Sequence, residues 1–381
     1  VDFALTSEQQ TLRDMLRTFV AKEVRPRAQE WDATGAFPEA TVRKLADLGI
    51  LGAMVPEAYG GAEMDTVSYA IAVAEIGKGD GSLGLTVASH NSLCTAHIQN
   101  FGSEAIKREY LPQLASGRML GAWALTEPGS GSDAIAMRTK AERRGDRWIV
   151  NGTKMFITQG SVGGVYVILA VTDKEKRKDG VTAFLVRAGT PGLTIGRKLD
   201  KLGMRSSDTA ELVLEDLELG DDAVIGQVNS GFRDAVRNLA GGRISIAALS
   251  AGIGLGALQE AVAYARERTQ FNRSISEFQA IQWMLADMST ELEAAELLTF
   301  RAAYLKDHGR PYVQEAAMAK LFASEAAMRG TIKAVQIFGG YGYIQDYPVG
   351  RYMRDAKLCE IGEGTSEVQR ILIARNLIRG H

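Results

Sequence analysis

The residue with the best claim to chemistry is Glu363, set between Gly362 and Gly364 in Cys359-Glu-Ile-Gly-Glu-Gly-Thr-Ser-Glu-Val-Gln-Arg370. Flanking glycines let a carboxylate approach a ligand with no neighbouring side chain in the way, and they tolerate the backbone angles such a placement needs. The pattern Ser366, Val368, Ile371, Leu372, Leu377, Ile378 predicts a helix directly afterwards, with Ser366 and Gln369 at capping-box spacing. A carboxylate there can rest against the positive helix end, or serve as a general base whose pKa the pocket sets. Local sequence leaves both open.

Other segments could hold a ligand. Leu125-Thr-Glu-Pro-Gly-Ser-Gly-Ser-Asp133 offers hydroxyls and free amides that can cradle a planar or anionic group, or it is a polar turn. Phe156-Ile-Thr158 places an aromatic beside a hydroxyl, where core packing is the alternative. Arg266–Phe271 with Phe278-Gln279, and Gln336-Ile-Phe-Gly-Gly-Tyr-Gly342, read as helix ends with arginine, glutamine and aromatic side chains. Gly129-Ser-Gly131-Ser-Asp-Ala134 matches a loose dinucleotide fingerprint, but Thr126-Glu-Pro128 precedes it where a strand is required. The glycines at 252, 254 and 256 lie in a helical pattern and suggest close packing. His90, His97, His308 and His381 are scattered, none with metal-ligand spacing; His90 with Asn91 lines a pocket or is a satisfied helix pair. No phosphate-binding loop or serine-hydrolase elbow is present.

These residues must be positioned by two or three domains, since 381 residues exceed one small core. Charged residues are 24%, hydrophobic residues 46% and the net charge is −2, which argues against nucleic acid or an anionic membrane as principal partner. The apolar stretch around 244–258 is broken by Gly and Ser and reads as a buried helix. Two cysteines, Cys94 and Cys359, are too few for a disulfide framework and fit a reducing compartment. The opening Val-Asp-Phe-Ala-Leu-Thr shows no signal or transit pattern, so a cytoplasmic location is expected, or a mitochondrial matrix one if a presequence has been removed.

Residues 1–120 read as helical, opening with a Ser7–Gln10 capping box and a helix from Pro38 to Gly49. Residues 121–231 read as short strands of a small barrel or sandwich, with Asn151-Gly152 as a hairpin turn. Residues 232–381 read as long alanine-rich helices, 233–268, 279–307 and 314–338, then a last one from Ser366; that pattern suggests a bundle.

Together these segments resemble the acyl-CoA dehydrogenase family. The likeness runs in order through Val55-Pro-Glu-Ala-Tyr-Gly-Gly61, Phe101-Gly-Ser-Glu104, Leu125–Asp133, Phe156–Thr158, Leu202–Leu212, Arg268-x-Gln-Phe271, Gln336–Gly340 and Glu363-Gly-Thr365. The resemblance implies a mainly α fold: an N-terminal helical domain, a β-barrel-like middle domain and a C-terminal four-helix bundle. It also implies a homotetramer (a dimer of dimers), FAD as cofactor, an acyl-CoA substrate and electron-transfer flavoprotein as electron acceptor. By motif match, Trp123, Leu125, Thr126, Gly131, Ser132, Phe156, Ile157 and Thr158 should contact the flavin and its phosphates. Arg268, Gln270, Phe271, Gln279, Gln336, Ile337, Gly339 and Gly340 should hold the adenine half across a subunit interface, and Thr365 and Glu367 should close the site. Ser132, Arg243, Gly362 and Gly364 fall on the substrate side. Glu363 is then the base for the α-proton, with the β-hydride passing to the flavin to give a trans-2-enoyl-CoA. Backbone N–H of that glutamate and a ribityl hydroxyl would meet the thioester oxygen.

Four positions depart from the family pattern. Gly362 stands where many straight-chain members carry Tyr, which widens the pocket toward branched or bulky short acyl groups. Gly242 occupies the helix position from which isovaleryl-type members supply their base. Ala240 replaces an acidic residue that contacts the CoA portion, which keeps a carrier-protein thioester open as the alternative substrate. Asn272 replaces a glycine after Gln-Phe. A silent acyl-CoA- or flavin-binding scaffold is the reading from another class.

Overall fold

The computed structural model describes residues 4–379; His381 and the first three residues of the opening segment lie outside them. The chain begins as α1 (Ser7–Phe19), passes through a five-residue π-turn and continues as α2 (Arg25–Thr34). The capping box of α1 is built by Thr6 and Gln9, one residue before the Ser7–Gln10 pair. Both pairs have the required spacing, and Thr6 is the residue whose backbone is extended. Then follow α3 (Glu39–Asp47), α4 (Thr66–Gly79), α5 (Gly81–Ser89), a second π-turn His90–Thr95, α6 (Ala96–Phe101) and α7 (Glu104–Ala115).

Eight strands come next: β1 (Gly121–Ala124), β2 (Lys140–Arg144), β3 (Arg147–Thr158), β4 (Val165–Val171), β5 (Val181–Arg187), β6 (Leu193–Lys198), β7 (Thr209–Leu219) and β8 (Val224–Ile225). They pair in the order β6-β7-β3-β2-β4-β5-β8, with β1 parallel to β4. Alternate residues divide two cores, as strand geometry requires. Ala122, Tyr166, Ile168, Phe184 and Leu212 fill the sheet's own core, while Trp123, Val165, Val167 and Leu185 pack toward the helices. Asn151-Gly152 is not a hairpin turn. It lies inside β3, where Asn151 pairs with Lys140 and a bulge interrupts the β7 register. The turn is Gly145-Asp146, with Gly145 at φ 62. Gly152 is required because a Cβ there would fall 2.7 Å from the Thr139 Cα.

The C-terminal part opens with α8 (Gly231–Glu267), then a two-stranded hairpin β9 (Thr269–Gln270) and β10 (Arg273–Ser274), α9 (Gln279–Asp307), α10 (Val313–Phe338), α11 (Val349–Ile361) and α12 (Ser366–Arg379). α8 packs along α9, α10 and α11, and also against α4 of the first part. Its glycines permit that approach: a Cβ on Gly252 would sit 2.3 Å from the Ala74 carbonyl oxygen, and one on Gly256 2.5 Å from that of Lys78. Among the described residues α8 is the one helix long and apolar enough to cross a membrane, and most of that stretch is buried inside the protein. α11 is absent from the sequence reading because its inward face carries Arg351 and Asp355 beside Val349, Tyr352 and Cys359, which breaks the apolar period.

Candidate functional site

Glu363 sits on the turn between α11 and α12. Gly362 has φ −68 and ψ 153, extended backbone that any residue adopts. The left-handed conformations belong instead to Glu363 (φ 53) and Gly364 (φ 96). A non-glycine residue so placed costs on the order of 1–3 kcal/mol, which the surroundings must offset. Two donors do so: Lys320 Nζ and Gln369 Nε2 each donate to the Gly364 carbonyl at 2.8 Å. The following helix is capped by Thr365, whose hydroxyl accepts from the Val368 N–H at 3.3 Å. That replaces the Ser366–Gln369 capping box: Gln369 turns back to the glycine carbonyl.

The carboxylate lies over Gly242 of α8. A Cβ built on Gly242 would fall 2.1 Å from Glu363 Oε2 and 3.3 Å from Leu93 Cδ2 of the second π-turn. The position that cannot supply a base is thus the space a base fills. Oε2 is buried and has no hydrogen-bond partner among the described residues. Burial pushes the Glu363 carboxyl up to about 7, while the nearby charges of Arg243 and Lys320 pull it down. A carboxyl poised there exchanges a proton near neutrality. No protein oxygen among the described residues accepts from the Glu363 N–H. Arg243, whose charge acts on this carboxylate, is buried, and its Nε has no partner among the described residues.

The flavin-side residues divide by orientation. Phe156 takes φ 60 at a bulge where β3 loses register with β7, and that turn throws its ring outward to 64% exposure. Core packing is therefore excluded for Phe156, while its neighbour Ile157 is the inward residue. Trp123 is buried, its indole N–H donating to His97 Nδ1 at 3.3 Å. Thr126 receives the Met155 N–H on its carbonyl, tying the 125–133 loop to β3 beside Phe156. Gly131 and Ser132 are exposed, and a Cβ on Gly129 or Gly131 would meet nothing within 4 Å. A short strand, β1, does precede this loop, but a 3-10 turn, Ala134–Ala136, follows where a dinucleotide fingerprint needs an α-helix. The loop is fixed by a pair that sequence reasoning missed. Buried Lys154 donates to Glu127 Oε1 at 2.7 Å and to the Leu125 carbonyl at 3.0 Å. The Glu127 carboxylate also accepts from the Arg138 and Thr139 N–H groups.

Five of the eight residues expected to hold the adenine end meet elsewhere. Arg268, Gln270, Ile337, Gly339 and Gly340 line a cleft of about 520 Å³ with Tyr264 and Tyr341, and the Arg268 guanidinium lies 5.3 Å from the Tyr341 ring centre. No middle-domain residue lines it, and Phe271, Gln279, Gln336, Thr365 and Glu367 stand outside it. Phe271 and Asn272 form the two-residue turn of the β9–β10 hairpin, at φ 52 and φ 61. Asparagine tolerates that conformation better than other side chains, which accounts for Asn272 where a glycine is usual. His90 is a satisfied core residue: Nε2 bridges the Leu51 and Leu114 carbonyls and Nδ1 accepts from the Gly121 N–H. Burial lowers it to about 4, so it stays neutral.

The donor set fits FAD. An outward aromatic, an open glycine loop with free amides, and a separate arginine–tyrosine cleft suit a ring system, a pyrophosphate and a second ring.

The comparisons with known proteins agree in family. The N-terminal, middle and C-terminal domains of acyl-CoA dehydrogenases match residues 6–118, 122–217 and 229–378. A short-chain-specific acyl-CoA dehydrogenase of Clostridium acetobutylicum is 48% identical over 379 residues, covering all of both chains. The solved butyryl-CoA dehydrogenase of Megasphaera elsdenii has TM-score 0.98 at 43% identity, covering 100% of both chains. A chain of the structure described as the electron transferring flavoprotein of Acidaminococcus fermentans, studied toward flavin-based electron bifurcation, has TM-score 0.98 at 46% identity and the same coverage.

Proposed function

Since this chain belongs to the acyl-CoA dehydrogenase family, and is thereby an FAD-dependent oxidoreductase, we propose that it desaturates short acyl-CoA thioesters with Glu363 as the α-proton base. The observation that carries this reading is the Glu363 turn: a buried, unpartnered Oε2 above Gly242, with the residue's own N–H free.

The residues then act in a simple order. The Glu363 N–H donates to the thioester carbonyl oxygen and stabilises the negative charge that develops there, which acidifies the α-carbon. Glu363 takes the α-proton on its carboxylate, with buried Leu93 as an apolar neighbour and the Arg243 charge favouring the ionised form beforehand. FAD, when bound, supplies the acceptor for the β-hydrogen and its electron pair. Phe156, Thr158 and the 125–132 loop would hold its ring and pyrophosphate, and the Arg268–Gly340 cleft its adenine end. Because no middle-domain residue lines that cleft, the two halves of the site are proposed to come from different subunits of a homotetramer, the dimer-of-dimers arrangement. Electron-transfer flavoprotein is the proposed acceptor. The proposed domains are 1–120, 121–231 and 232–381.

Substrate width is read at Gly362. A Cβ there would meet nothing nearer than the Leu358 carbonyl oxygen at 3.5 Å, so a side chain is sterically allowed and its absence leaves room for a branch. The FAD-loaded protein should bleach anaerobically with butyryl-, isobutyryl- and isovaleryl-CoA and only slowly with octanoyl-CoA. Gly362→Tyr should slow the branched substrates at least about tenfold more than butyryl-CoA. Equal losses would remove the width argument. Bleaching by a carrier-protein thioester with every CoA ester inert would replace the substrate class.

A further inference from the structure

Lys320 lies in the N-terminal half of α10, on a buried face otherwise made mostly of alanines, and it is completely buried. Burying an ammonium is costly unless its donors are used. Its one hydrogen-bond partner among the described residues is the Gly364 carbonyl. That carbonyl follows directly on Glu363, in the left-handed pair that needs external support. Gln369 completes the restraint from α12, its Nε2 lying 2.8 Å from the Gly364 oxygen and 3.5 Å from that of Glu363.

We propose that Lys320 is a positioning residue for the base: with Gln369 it clamps the Gly364 carbonyl, holds Glu363 in its left-handed backbone and keeps the carboxylate over Gly242. The inference rests on reading Glu363 as the base. The ammonium also acts through space. Its charge lowers the Glu363 carboxyl, as does that of Arg243 on α8. Tyr69 on α4, Tyr312 ahead of α10, Cys359 and Glu360 on α11, and Glu367 on α12 are further titratable groups around the pair. Burial lowers Lys320 itself to about 8, with Cys359 and Glu363 opposing that shift, so its charge is present in the range where Glu363 titrates. Removing the charge should therefore raise the pH at which the base becomes active.

The test uses FAD-loaded full-length protein and stopped-flow anaerobic bleaching by butyryl-CoA from pH 5.5 to 9. Lys320→Met should keep its FAD and bind butyryl-CoA within about threefold of wild type, yet lose roughly 10–100-fold in limiting rate at pH 7. Its rate midpoint should move up by about half to one pH unit, with Lys320→Arg recovering part of the rate and the original midpoint. Gln369→Leu, which removes the second clamp without removing charge, should lose rate without moving the midpoint, and it serves if Lys320→Met does not fold. A wild-type rate and midpoint in Lys320→Met, or a wild-type rate in Gln369→Leu, would overturn the proposal. Glu363→Gln, measured in parallel, separates the two claims: if it still bleaches at the wild-type rate, the base assignment fails first; if it is inert while Lys320→Met is normal, only the positioning role fails.

Discussion

At residue 242 the absence of a side chain is what gives a carboxylate its place. The 2.1 Å between a hypothetical Gly242 Cβ and Glu363 Oε2 is far inside van der Waals contact, so even a methyl group must displace the acid. Gly242→Ala should retain FAD and lose at least about 100-fold in the limiting rate of anaerobic bleaching, the scale expected for a displacement near 1 Å; stopped-flow absorbance checks this. At the residue scale the position of this turn was legible, and its geometry only in part. Glu363 stood out by its glycine neighbours, although Gly362 proved conformationally ordinary and Glu363 itself took the unusual angles. Two fully buried lysines, Lys154 and Lys320, were not legible. Lys154 and Lys320 occur in strand and helix sequences where a lysine normally faces water, and only tertiary contact reveals the carbonyls they hold.

Among the elements, β3 does two jobs that its sequence disguises. Asn-Gly suggested a turn, yet the chain runs straight through because the Thr139 backbone needs the space above Gly152. Further along, the second bulge ejects Phe156, while Lys154 points inward to anchor the 125–133 loop through Glu127. Lys154→Met leaves Glu127 buried without its cation, and breaking such a pair costs about 3–5 kcal/mol. Urea unfolding should show a destabilisation of that order, and gel filtration should strip FAD from the variant more readily than from wild type. An unchanged unfolding midpoint and full FAD retention would show that the loop is held by other contacts. The helices were more legible than their ends: α8, α9 and α10 followed from apolar periodicity, whereas the caps of α1 and α12 each fell one residue before the expected position.

For the molecule as a whole, the Leu202–Leu212 motif and the unforeseen α11 belong together. Arg351 donates to Asp80 at 2.9 Å, Asp355 accepts from the Met204 N–H at 2.6 Å, and Arg354 pairs with Asp32. Helices of the first part, a loop of the sheet part and α11 are thus locked together. The opposite kind of surface lies on the hairpin, where Phe271 is 87% exposed on a left-handed backbone. Such a residue makes sense when a second subunit covers it. Phe271→Asp should lower the mass seen by light scattering and weaken FAD retention together; an unchanged mass with tightly bound FAD would place the proposed interface elsewhere. The proposed function turns on one proton transfer, and the most direct measurement is anaerobic bleaching of FAD-loaded Glu363→Gln by butyryl-CoA. The variant should bind FAD and butyryl-CoA as wild type does and bleach slower by several orders of magnitude, about 10³-fold or more. Bleaching at the wild-type rate would contradict the assignment of Glu363 as the base.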